Sequence, residues 1–253
     1  MAKLRIILLL TTASLLYYCE NSEEENNIDE TENTLSAAFD EFDSDNVTIT
    51  LEGDEVIIET NGHPNHTSPY WSESSSLYVT SSDPDFNENK APGFIENYVG
   101  TTTLTVPVNP SKASGTTATN LGPIGITISG AVIYDDQEGP NVPLEFPTAY
   151  SLDYTGAHTG PMSYHYHIEP IAWSEDDDKL IGIMSDGFFL YGRKCASTGT
   201  YPSDLDISGG HTATTQHSDE ESYHYHIQND IYLNTFYLLF PGEFQGTPNA
   251  ISQ

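Results

Sequence analysis

The sequence predicts an all-β domain, a sandwich or barrel-like arrangement with an internally duplicated C-terminal half, preceded by a signal peptide and an acidic tether. Three observations carry this expectation. Apolar runs are short, rich in Val, Ile, Thr and Tyr, and bounded by Gly, Pro, Asn or Ser, as half-buried strands are. No long stretch keeps a helical period. Three blocks of the C-terminal half recur in the same order with only the loops changed in length.

The 253 residues suffice for one large all-β domain with a sizeable core. Met1 to Leu16 reads as an export signal: Lys3 and Arg5 form a short basic start, and the apolar run from Ile6 to Leu16 is too short to span a bilayer comfortably. Leu15-Leu16-Tyr17-Tyr18-Cys19 resembles a bacterial lipoprotein processing site, in which the cysteine becomes the lipidated first residue. Glu20 and Glu23-Glu24-Glu25 resemble the acidic export signal of bacterial surface lipoproteins. Residues 1–19 are therefore expected to be a processing segment and Cys19 the lipid anchor of an outer-membrane or cell-surface protein. A cut nearby would instead release a secreted one, extracytoplasmic either way.

Residues 20–45 carry eleven acidic side chains, no basic ones and few apolar ones. Such a composition cannot offset the entropy of ordering, so a disordered tether is expected there and a β domain over residues 46–253. The whole chain has 7 Lys+Arg against 38 Asp+Glu, a formal charge of -31. That charge excludes nucleic acid and anionic membrane surfaces as partners and favours cations. Membrane association is expected only through the N-terminal lipid.

Val47 to Leu51 and Glu55 to Glu59 around Gly53-Asp54 predict the first hairpin. Ile124 to Tyr134 aligns without a gap on Ile181 to Tyr191, each block being two apolar strands around a Gly turn. Leu152 to Thr159 aligns on Leu205 to Thr212, and Tyr164-His165-Tyr166-His167-Ile168 returns as Tyr223-His224-Tyr225-His226-Ile227. The offsets are 57, 53 and 59 residues, giving repeat units of about 124–168 and 181–227.

In a strand alternate side chains share a face, so His165 and His167 point one way while Tyr164 and Tyr166 point the other. Two imidazoles about 7 Å apart along a strand can lean onto one metal ion at roughly 2.0–2.1 Å. His224 and His226 repeat this clamp, and His158 and His211 supply a third imidazole to each unit. The six form either two three-histidine sites or one shared cluster. Asp153 and Asp206, five residues before His158 and His211, together with Asp186, are expected to orient the imidazoles as carboxylate acceptors. His66 is a further candidate ligand from outside the units, whereas His63 sits in a turn and His217 in an exposed loop. A nitrogen-only donor set suits a divalent transition metal, Cu or Zn.

Other features carry less chemistry. Asp83, Asp85, Asn87 and Asn89 alternate like the start of a calcium loop, but Glu88 at the sixth position and Phe94 at the twelfth argue against an EF-hand. Glu175-Asp176-Asp177-Asp178 reads as a solvated loop, and Cys195 as a free thiol without an intrachain disulfide. No nucleophile elbow, phosphate loop or dinucleotide fingerprint occurs.

Asn61-Gly62-x-Pro64-x-His66, Gly156-x-His158, Tyr164-His165-Tyr166-His167, Asp186-Gly187-Phe188-x-Leu190-Tyr191-Gly192, Gly210-His211 and Tyr223-His224-Tyr225-His226 together resemble the YHYH-domain family. The resemblance runs from about Val47 to Gly246. It implies an extracytoplasmic bacterial protein and assigns no catalytic residue. The expected function is thus an exported, surface-anchored metal-binding protein, a metalloenzyme if a coordination position stays open to water. The alternative is a non-catalytic extracellular binding module for a glycan or small molecule, in which the histidines form a hydrogen-bonded scaffold.

Overall fold

The computed structural model of the protein describes residues 33–81, 92–160, 163–240 and 242–253. The expected processing segment with Cys19, the first part of the acidic segment and the calcium-like run at Asp83 to Asn89 lie outside the described residues. Counted in chain order, the strands of the two main sheets are β1 (Val47–Glu52), β2 (Glu55–Thr60), β3 (Thr102–Pro107), β4 (Gly125–Thr127), β5 (Val132–Ile133), β6 (Ala157–Thr159), β7 (Tyr164–Tyr166), β8 (Leu180–Met184), β9 (Phe189–Tyr191), β10 (Gly210–Thr215), β11 (Ser218–His226) and β12 (Ile251–Ser252). The expected first hairpin is β1–β2, turned at Gly53 with φ 65°.

The smaller sheet runs β1-β2-β3-β12 and the larger β10-β11-β9-β8-β4-β5-β7-β6. Neither closes on itself, so of the two expected arrangements the sandwich describes the fold. The order of the larger sheet reads alike from both edges. Its centre is the antiparallel pair β4–β8, with Gly182 opposite Thr127. Outward on each side come an antiparallel partner (β5, β9), a parallel one (β7, β11) and an antiparallel edge strand (β6, β10). Registers agree as well: Ile133 lies beside Tyr166 as Leu190 lies beside Tyr225, and His158 faces His165 as His211 faces His224.

Alternation along these strands gives each face of the larger sheet its own core. One face carries Ile133, Tyr164, Tyr166, Leu190, Tyr223 and Tyr225, packed with Trp71, Phe188 and Phe240. The other carries Ile126, Val132, Leu180 and Ile183 against Val56, Ile58, Leu104 and Val106 of the smaller sheet. The smaller sheet therefore covers the middle of the second face. His165 sits beside Val132 on that same face, so the histidines flank the covered centre.

Part of the acidic segment departs from the expected tether. Ala37–Glu41 form a 3-10 turn capped by the Ser36 hydroxyl, and Ala38, Phe39 and Phe42 are buried, Phe39 lying edge-on to Phe189. Two phenylalanines three residues apart bury enough apolar surface to hold this turn down, whatever the charge around it. The folded domain thus begins about ten residues before Asn46.

Candidate metal centre

The strand β7 leaves little choice of side-chain direction. Its tyrosines enter the core, where Tyr164 donates to Asp153 at 2.6 Å and Tyr166 to His66 Nε2. His165 and the following His167 are forced to the opposite face, both nearly inaccessible. The β6 edge strand then delivers His158 beside them. The ligand atoms of His158, His165 and His167 lie within 4.8 Å of one another. At the other edge of the sheet, His211, His224 and His226 form a second such group, joined by the thiol of Cys195. Between β7 and β11 stand five inter-strand spacings of about 4.8 Å, roughly 24 Å in all. The six imidazoles therefore make two separate centres and no shared cluster.

Which nitrogen carries the proton follows, in five of the six rings, from the partner of Nδ1. His165 Nδ1 donates to Ser163 O (3.1 Å), His224 Nδ1 to Ser222 O (2.9 Å), His226 Nδ1 to Gly192 O (2.7 Å) and His167 Nδ1 to Asp135 O. A backbone carbonyl only accepts, so each neutral ring carries its proton on Nδ1 and its lone pair on Nε2. His211 Nδ1 donates to the Asp204 carboxylate at 2.9 Å, and this bond holds Asp204 below the usual carboxylate range. In the second centre Nε2 of His211 and of His226 is buried and has no hydrogen-bond partner. Unpaired buried acceptors are rare and costly, and a bound ion would satisfy both.

Four of the rings stay neutral because they are buried. Burial lowers the pKa of His165 well below the ordinary 6.5, helped by His167 and His158, and burial lowers His167 too. Burial pushes His224 down to about 4 and His226 to about 3. In the metal-free protein these rings remain unprotonated while the unfolded chain takes up protons from about pH 6.5 downward. Lower folded-state pKa values mean stability that is whole above pH 6.5 and declines as pH falls towards 4 and 3. His224 alone contributes a loss on the order of 3 kcal/mol over that window. Urea midpoints of the chelator-treated protein are expected to fall steeply between pH 6.5 and 4; a flat profile there would show that the rings are not desolvated.

Several expected site residues do other work. His66 stands outside both histidine groups: its ring lies on the tyrosine face among Tyr164, Tyr166 and Trp173, with Nδ1 donating to Thr67 O at 2.9 Å. Asp153, Asp206 and Asp186 accept hydrogen bonds from Tyr164, Tyr223 and Tyr225 respectively. Strand alternation explains this, because the turns bearing the aspartates meet the tyrosine face. The imidazoles are oriented instead by backbone carbonyls and Asp204. His217 is no exposed bystander, since it bonds Tyr191 OH (3.0 Å) and Glu41 (2.8 Å). The run Glu175 to Asp178 is pinned by ion pairs of Asp176 with Arg193 and Lys194 and of Asp177 with Lys179.

Two residues escaped the sequence reading. Cys195 is a free thiol as expected, yet it is buried within the second histidine group. Glu138, on the ribbon Gln137–Gly139/Val142–Pro143, brings Oε1 to 3.3 Å from His167 Nε2 and 3.7 Å from His158 Nε2. Single residues in loops carry no periodic signal, and only their place relative to the repeated blocks marks them. No curated protein and no solved structure matches the chain. Residues 103–203, which hold the first histidine triad, Glu138 and Cys195, match the family described as YHYH protein.

Proposed function

We propose that this is an exported, surface-anchored protein that binds two transition-metal ions, one at each edge of its larger sheet. His158, His165 and His167 hold one ion; His211, His224, His226 and Cys195 hold the other. The observation that carries the reading is the pair of buried, unpartnered Nε2 atoms of His211 and His226 beside a buried thiol. A hydrogen-bonded scaffold would have given those atoms donors. Three imidazoles and a thiolate form the closed, four-ligand set typical of structural zinc, and thiolate also suits copper in its reduced state. The export signal, the lipoprotein-like Cys19 and the acidic residues after it support placement at the cell surface.

Elemental analysis of untagged protein is expected to give two equivalents of Zn or Cu per chain. Chelation should lower the melting temperature: free ion at a hundredfold over its Kd stabilises by about 2.7 kcal/mol per site, roughly 5–10 °C for a domain of this size. Protein that takes up no metal and melts unchanged with chelator would refute the reading.

A further inference from the structure

The gapless correspondence between the two units continues beyond Tyr134 and Tyr191. At the same offset of 57 residues, Asp135 falls on Gly192 and Glu138 falls on Cys195. The first pair is matched in space, since Asp135 O accepts from His167 Nδ1 and Gly192 O from His226 Nδ1. The second pair is matched in part: Cys195 stands within its histidine group, and Glu138 reaches two of the three histidines of the other.

Three potential donor atoms converge at Glu138. His158 Nε2 and His167 Nε2 are 3.2 Å apart, and Glu138 Oε1 closes the triangle at 3.3 and 3.7 Å. Ligands at roughly 2.0–2.1 Å from a tetrahedral ion are separated from each other by about 3.3–3.4 Å. The His167 proton is on Nδ1, so its Nε2 lone pair faces both His158 Nε2 at 3.2 Å and the Glu138 carboxylate at 3.3 Å. An ion held between them would satisfy these acceptors together.

We infer that Glu138 is the fourth ligand of the first centre, the counterpart of Cys195, so that one fold carries a three-histidine–carboxylate centre and a three-histidine–thiolate centre selecting different metals. This deepens the metal-binding reading and rests on it. The thiolate centre prefers soft or borderline ions, zinc or reduced copper, whereas a carboxylate also accepts Mn(II), Fe(II) and Co(II). The two differ in access as well. Cys195 is 1% exposed, but the Glu138 side chain is 23% exposed on its ribbon, so the first centre exchanges its ion more readily.

Cobalt(II) titration of the full chain, stripped of metal and kept reduced, separates the two centres. The expected result is two equivalents, one of which develops a near-ultraviolet sulfur-to-cobalt charge-transfer band. Cys195→Ser should abolish the band. Glu138→Gln should leave the band intact, weaken the other equivalent by about 100-fold, and be rescued by Glu138→His. Two equivalents with unchanged affinity in Glu138→Gln would overturn the assignment while leaving metal binding standing. Wild-type protein that binds no cobalt would overturn both.

Discussion

His226→Ala is expected to remove the second metal equivalent while leaving the first, and to cost the metal-loaded protein far more than the metal-free one. Structural zinc binds with about 10–16 kcal/mol at pH 7, so one ligand of four accounts for roughly 2.5–4 kcal/mol, a factor of about 10² to 10³ in affinity. Without metal the balance changes sign in part. The His226 ring is 1% exposed, its Nε2 is unpartnered, and only its Nδ1 bond to Gly192 O is lost on truncation. Removing an unsatisfied buried acceptor recovers desolvation free energy that offsets the small cavity left by alanine. Paired measurements therefore decide between a ligand and a scaffold histidine: denaturation with and without excess zinc, for wild type and variant. A ligand gives a large difference between the two conditions. Equal destabilisation in both would assign His226 to the scaffold and end its role as a ligand.

This distinction also shows what the sequence made legible. The Tyr-His-Tyr-His runs specified which side chains share a face, and the repeated blocks specified that His158 and His211 would join them. The first follows from the period of a strand and the second from the duplication, and neither needs tertiary knowledge. What the alternation could not say is which loop closes over each face. Asp153 and Asp206 stand near histidines in sequence, but their turns, like that of Asp186, meet the tyrosine hydroxyls, and carbonyls of Asp135, Ser163, Gly192 and Ser222 orient the rings. His66 likewise went to the tyrosine side because it accepts the Tyr166 hydroxyl. Phe39 and Phe42 were hidden by the acids around them. A composition argument averages over a segment, whereas burial is decided by individual side chains.

Gly182→Ala is expected to abolish both metal centres together although Gly182 touches neither. It lies on β8 opposite Thr127 of β4, at an irregularity in the β8–β9 pairing between Leu180 and Gly182. A Cβ there would overlap the carbonyl oxygen of Ile126 and stand 2.7 Å from Thr127 Cα, both backbone atoms that cannot rotate away. Overpacking a core by a methyl costs about 1–3 kcal/mol where side chains can yield. Against backbone at the middle of a sheet the cost should exceed about 3 kcal/mol, a large share of the 5–15 kcal/mol that holds a typical domain folded. Gly125, its counterpart on β4, would place a Cβ 2.8 Å from Ile183 O and 3.0 Å from Met184 Sδ, so Gly125→Ala should be milder. Because β4–β8 is the pair through which the two halves of the sheet are joined, strain there acts on both histidine groups at once. Thermal unfolding of the two variants, followed alongside metal stoichiometry, tests this ordering. If Gly182→Ala melted like wild type and kept two equivalents, the central strands could not be as closely apposed as they are here, and the linkage of the two centres through them would fail.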